Sequence, residues 1–168
     1  MHAAPFGQHN HQSCIDVAVE QAHTLCAAAG VKLTSQRLNV LKLIWQNHKP
    51  LGAYTLMSML ESSNGQRVAP PTVYRALDFL LEQGLIHRVH SLNAFIGCTR
   101  PGHQHEGNLL ICRRCGVAQE LESNSLLSAL RGAAEEQAFT VDQLMVEIVG
   151  LCPNCQTAQP EEPVECLL

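Results

Sequence analysis

From Ser13 to Gly84 the apolar positions recur at helical spacing, interrupted by residues that start or stop a helix. Ser13 with Asp16 three residues on reads as a capping box, which predicts a first helix running to about Gly30 as its C′ glycine. Thr34 can cap a second helix, in which Leu38, Leu41 and Trp45 mark one apolar stripe before Pro50 ends it. After Gly52, the stretch AYTLMSMLESS predicts a short third helix closed by Asn64 and Gly65. In PPTVYRALDFLLEQG the leading prolines suit a helix N-terminus, Gly84 suits a C′ position, and Val73, Leu77, Leu80 and Leu81 face a core. The pattern then changes, and LIHRVHSLNAFIGC reads as two short strands around a turn at Ser91 to Asn93.

Three or four helices followed by a hairpin is the order of a winged helix-turn-helix. The helix before the hairpin takes the place of the recognition helix, and its first turn carries Thr72, Tyr74 and Arg75. Past residue 100 a second unit follows. NLLIC and VAQELE read as strands either side of a CRRCG turn, SNSLLSALRGAAEEQ as an amphipathic helix capped by Ser123 or Ser125, and QLMVEIVGLC as a further strand. The expected fold class is α+β, with a winged-helix domain over residues 15–98, a hinge at 99–104 and a small α/β domain over 105–156. Residues 1–14, which contain His2, His9 and His11 without periodicity, read as a solvated tail, and residues 157–168, rich in Pro and Glu, as a disordered acidic tail. Cys166 stands third from the end and forms no prenylation box. Cys14, Cys26 and Cys166 receive no role.

Composition narrows the chemistry. With 168 residues, 46% hydrophobic but 4% aromatic, two small cores short of large rings are expected, and such cores commonly take help from a metal. The N-terminus, MHAAPFGQHNHQSC, has neither a basic n-region nor an apolar h-region, so the eight cysteines fit that need for a metal rather than a disulfide framework. No apolar run approaches the length of a membrane span, and a soluble cytoplasmic protein is expected. The net charge of -4 is unevenly spread: residues 1–100 hold eight Lys/Arg against five Asp/Glu, and residues 101–168 three against ten. A modestly basic first half suits a polyanion, and an acidic second half rich in Cys and His suits cations.

Cys112 and Cys115 form one CxxC and Cys152 and Cys155 another, 36 residues apart. Two turn-borne CxxC pairs complete a closed tetrahedral four-sulfur site for structural zinc, and each pair follows an apolar strand end, unlike the strand-to-helix CxxC of a redox protein. Cys98, His103, His105, Glu106, Glu120 and Glu122 surround the first pair, with His87 and His90 on the preceding hairpin. Each alone has a structural explanation, Cys98 as a small core residue and the glutamates as surface charge. Together they straddle the junction of the two halves, where a metal would couple them. A mixed set of His, Cys and carboxylate is less tightly held than four thiolates and so can respond to metal availability, and its thiolate favours zinc over manganese or magnesium.

An enzyme is not expected. The H-x-E and P-C-x-x-C of a zinc deaminase and the HExxH of a metalloprotease are absent, and a closed ligand set leaves no water to activate. A passive zinc-ribbon interaction module would account for the two CxxC pairs but leaves the recognition-like helix and the hairpin without a use.

Through LTSQRLNVL, PPTVYRALDFLLEQG, ICRRCG and LCPNC, the chain resembles the ferric uptake regulator family over about residues 15 to 156. It is most similar to the zinc uptake regulator branch, because Cys98 at the end of the second hairpin strand matches a sensing-site cysteine there. The resemblance implies a cytoplasmic, zinc-responsive repressor that binds double-stranded operator DNA as a homodimer and controls zinc uptake genes. It makes 15–98 the DNA-binding domain and 105–156 the dimerisation and metal-binding domain, with no membrane and no small-molecule substrate. Two zinc ions per protomer are implied, one held by Cys112, Cys115, Cys152 and Cys155 and a sensing ion held by His87, Cys98, His105 and Glu120. Many relatives carry a denser histidine run before the first CxxC, whereas here HQHE occurs, so His103 stands as the substitute for His105. The implied DNA contacts are Tyr54, Thr72, Tyr74 and Arg75. An iron- or peroxide-responsive regulator of the same family is the alternative.

Overall fold

A computed structural model describes residues 11–65, 67–102 and 107–157. Helix α1 (His11–Ala28) includes Ser13, so the expected capping box does not form; Asp16 instead accepts a hydrogen bond from Gln12 Nε2 one turn back, at 2.9 Å. The helix reaches upstream of Ser13 because Cys14 and Ile15 pack on the first core and the His11 ring lies 5.1 Å from that of His48. The tail expected over residues 1–14 therefore gives way to helix from His11 onward. His2 and His9 lie outside the described residues.

Helix α2 (Ser35–Trp45) begins as expected, with the Thr34 hydroxyl accepting from the Arg37 N–H. A two-residue strand, β1 (Leu51–Gly52), precedes helix α3 (Ala53–Asn64), and helix α4 (Pro70–Glu82) follows with proline in its first turn. Gly84 sits at φ 64°, a conformation that only glycine adopts freely, and the Leu85 N–H bonds back to the Leu80 carbonyl at 2.9 Å. That Schellman closure reverses the chain directly into strand β2 (Ile86–Val89), which pairs antiparallel with β3 (Ala94–Gly97). The turn between them includes Asn93 at φ 45°, whose N–H bonds to the His90 carbonyl. β1 pairs with the other side of β3, giving a three-stranded wing in the order β1-β3-β2. The sequence pattern did not mark β1, since two residues carry no periodicity.

The second half forms a sheet in the order β5-β4-β6, from β4 (Leu109–Cys112), β5 (Ala118–Glu120) and β6 (Glu147–Gly150). β4 runs antiparallel to β5 and parallel to β6, with helix α5 (Asn124–Glu135) in the crossover, capped by Ser123. A short helix, α6 (Pro153–Thr157), unexpected from the sequence, closes the second CxxC turn and carries regular structure one residue into the span expected to be a disordered tail, whose residues 158–168 lie outside the described ones.

Two cores result. The larger is built from α1 to α4 with Leu85, Ile86 and Phe95; the smaller joins Val89 and Ile96 of the wing to Leu109, Ile111 and Ala118 of the second sheet. The wing thus shows one face to each core, and the boundary expected at residue 98 runs through a packed interface. The expected hinge is tied down at its start, where Thr99 bonds to Glu120 and Arg100 pairs with Glu122 at 2.8 Å.

Candidate functional site

The turn after β4 and the turn after β6 bring Cys112, Cys115, Cys152 and Cys155 together, all four sulfurs within 4.8 Å of one another. Cys115 Sγ and Cys152 Sγ are 3.8 Å apart and not bonded, and the Cys152 N–H points at Cys112 Sγ from 3.4 Å. A tetrahedron with metal–sulfur bonds of about 2.3 Å has edges of about 3.8 Å, so the donor set fits a zinc ion. Its electrostatics ask for a cation. Burial opposes ionisation of Cys112, but N–H groups of Cys115, Cys152 and Arg114 bring it down to about 6, whereas burial and the neighbouring sulfurs push Cys155 up to about 12. Four thiolates this close are compatible only around a positive ion.

At the junction of wing and second sheet, His87 of β2, Cys98 just past β3 and Glu120 of β5 offer donor atoms within 4.8 Å of one another. His87 Nε2 lies 3.0 Å from Glu120 Oε1. Glu120 also accepts from the Thr99 N–H at 2.9 Å and, at its second oxygen, from the Thr99 hydroxyl at 2.7 Å. Burial works against its charge, yet the bonds and charge of His87 and the two Thr99 bonds hold the carboxyl down at about 2. Cys98 is 1% exposed; burial first, and then the Glu120 charge, push its thiol far above the ordinary range. A cation held among these three groups would favour the thiolate. A Cβ on Gly107 would lie 2.6 Å from His87 Nδ1, so the backbone at 107 closes on that side of the ring while Nε2 meets Glu120. His103 and His105 lie outside the described residues, in the segment that leads into Gly107. The sequence reading did not include Thr99 and Gly107, because a threonine and a glycine beside a loop carry no ligand signature.

The residues marked for DNA contact are all at the surface. Thr72, Tyr74 and Arg75 lie on the exposed side of the first turns of α4, opposite the buried Val73, Ala76 and Leu77, and Tyr54 at the start of α3 is 72% exposed. The first turns of α4 thus present an exposed tyrosine next to an exposed arginine, a surface both apolar and cationic. The second half presents an apolar surface of a different kind: Leu130, Phe139, Met145, Ile148 and Val149 are exposed, and α5 buries no residue despite its apolar stripe. Among the described residues no helix is long and apolar enough to cross a membrane.

Residues 28–149 match the model of the ferric uptake regulator family. The zinc uptake regulation protein of Escherichia coli K12 is 37% identical over 150 residues, which span 87% of this chain and 86% of that protein. A zinc uptake regulator complexed with zinc and DNA superposes with a TM-score of 0.77 at 35% identity, covering 89% of this chain and 97% of the other. XcZur is 40% identical and superposes at 0.74 in its holo form, over 83% of this chain and 97% of that one, but at 0.51 in its apo form over 84% and 97%. At the same identity and nearly equal coverage, this chain superposes better on the holo form.

Proposed function

The chain belongs to the ferric uptake regulator family, and on that premise we propose that it is a zinc-responsive transcriptional repressor, which binds operator DNA as a homodimer when its sensing site is loaded and so controls zinc uptake genes. The observation that carries this reading is the His87, Cys98 and Glu120 cluster, a mixed set that contains a thiol and spans the wing and the second sheet. In iron-type chemistry nitrogen and oxygen donors suffice; a buried cysteine in the set favours zinc.

Each part of the chain has a share in the mechanism. Cys112, Cys115, Cys152 and Cys155 hold a structural zinc that stabilises the second half, and His87, Cys98 and Glu120 hold the sensing zinc, with His105 or its substitute His103 as fourth ligand, for two ions per protomer. Zinc bound there would supply the positive charge that lets Cys98 be held as thiolate beside Glu120. His87 belongs to the wing and Glu120 to the second sheet, so ligation by both ties the two together. The wing in turn continues into α4 through the Leu80 to Leu85 closure, so fixing the wing fixes the helix that presents Thr72, Tyr74 and Arg75, while Tyr54 stands at the start of α3. The apolar face of α5 and β6 joins the two protomers, which spaces two such helices for a two-fold operator. The resemblance to the holo arrangement supports taking this conformation as the DNA-competent one.

The test is operator affinity at fixed free zinc, iron and manganese, with elemental analysis of the fully loaded protein. Zinc alone is expected to raise the affinity, with two zinc ions per protomer. An equal response to iron would move the protein to the iron-sensing branch, and no response to any metal would leave only a zinc-stabilised interaction module.

A further inference from the structure

Strand register sets up a relation between the two sheets that the sensing cluster does not use. Leu109 of β4 is paired with Glu120 across β5 and with Glu147 across β6, and side chains opposite one another in neighbouring strands share a face. The three residues therefore form one row, Glu120, Leu109, Glu147, on the face that meets the wing. Leu109 is fully buried against Val89 and Ile96. Glu120 grips the base of the hairpin through His87 and Thr99. Glu147 reaches the tip: its two oxygens accept separately from the His90 N–H at 2.6 Å and the Ser91 N–H at 3.1 Å, 57 and 56 residues away in sequence.

Those two N–H groups belong to the turn that Asn93 shapes. Asn93, at φ 45°, closes the turn onto the His90 carbonyl, and Arg88 bonds to the Asn93 side chain at 2.8 Å, so successive amides are left without a partner inside the hairpin. A pair of adjacent turn amides binds an anion well, and a carboxylate that meets both with separate oxygens does so in a defined orientation. Burial opposes the charge of Glu147, but its bonds with His90 and Ser91 hold the carboxyl below the ordinary range.

We propose that Glu147 is a positioning residue for DNA binding: a metal-independent clamp that holds the tip of the wing to the second sheet, while the sensing site closes the base. The inference rests on the repressor reading above and names a second element of the same switch. A hairpin fixed at its base alone can pivot about that point; fixed at base and tip, on either side of a packed Leu109, it has one orientation. Glu147 therefore sets the angle at which α4 is presented, and zinc acts on an arrangement already half secured. Without the clamp more of the closing would fall to the metal, so the zinc concentration needed for operator binding should rise although no ligand has changed.

The experiment uses the full-length, zinc-loaded protein and Glu147→Gln, which keeps size but replaces the anion with an amide whose NH2 opposes the turn donors. Amide hydrogen exchange at His90 and Ser91 and operator affinity against buffered free zinc are read together. The expected result is slow exchange at both amides in the wild type, at least tenfold faster exchange in the variant, zinc content and α4 exchange unchanged, and operator binding weakened by about tenfold with its zinc midpoint shifted upward. Fast exchange at both amides in the wild type overturns the clamp without recourse to any variant. Unchanged operator affinity and midpoint in Glu147→Gln, or faster exchange that extends to α4, likewise overturns it, the latter because the residue would then merely support the fold. A wild type whose operator binding ignores zinc would instead sink the repressor reading, while the exchange data would still decide whether the clamp exists.

Discussion

Gly107→Ala is a substitution outside the ligand set that should disable the sensing site through space alone. The backbone at 107 carries no left-handed angle, so alanine is conformationally acceptable there. Its Cβ, however, would stand 2.6 Å from His87 Nδ1, 2.8 Å from Cγ and 3.2 Å from Cβ, and an ordinary contact of about 3.4 Å requires the ring to retreat by about 0.8 Å. Moved that far in any direction, Nε2 would no longer keep its 3.0 Å approach to Glu120 Oε1, and metal–ligand distances tolerate only about 0.2 Å. Overpacking of this kind costs about 1 to 3 kcal/mol, which here falls on the loaded geometry and corresponds to roughly five-fold to more than a hundred-fold weaker zinc binding. The assay is competition for zinc against a chromophoric chelator, with Gly150→Ala as control because a Cβ there meets nothing within 4 Å. One zinc should be retained tightly and the second lost to the chelator at much lower concentration, with circular dichroism unchanged. If Gly107→Ala binds both ions as the wild type does, His87 is not a ligand or the loop yields freely, and the assignment of the site to this ring fails.

Arg75→Ala should weaken specific operator binding by about 1 to 3 kcal/mol and relax sequence preference while zinc content stays constant; unchanged preference would mean that another element reads the bases. Cys112→Ser removes a ligand from the four-sulfur site and should unfold the second half, seen as loss of one zinc and of far-ultraviolet dichroism; a stable variant that still holds the tight zinc would refute the structural role. Ile148, 43% exposed on β6 and on the sheet face opposite Glu147, is the proposed interface residue, so Ile148→Lys should shift the protein toward monomer in sedimentation velocity at micromolar concentration and cost operator affinity; an unaltered dimer would place the interface elsewhere.

Much of the fold was legible because the elements that build it have local signatures. Thr34 as cap, proline at the start of α4 and Gly84 after its end each specify backbone geometry within a few residues. The paired CxxC turns were legible for the same reason, since spacing alone puts two thiols on one turn. What was lost was non-local. The Ser13 capping box has the right residues, but tertiary contacts of Cys14 and Ile15 carry α1 past it. Strand β1 exists only because β3 offers an edge, and the packing across residue 98 arises because Val89 and Ile96 alternate toward a core supplied by the other half. In the sensing cluster, His87, Cys98 and Glu120 come from three elements and are brought together by folding alone, so the resemblance named them where spacing could not. Thr99, Gly107 and Glu147 act through backbone amides, close approach and strand register, none of which leaves a mark in the residue pattern.

The central claim is that zinc bound by the wing and the second sheet together controls DNA binding, and Cys98 is the residue on which its zinc character rests. The direct measurement is operator affinity against buffered free zinc for the wild type and Cys98→Ser, with circular dichroism and dimer mass as controls. Serine replaces a buried soft thiolate with a poor ligand and leaves the four-sulfur site intact, so the variant should remain folded and dimeric while its zinc midpoint rises by at least tenfold or the response disappears. Identical midpoints for the two proteins would show Cys98 to be a buried small residue only, and would contradict the account.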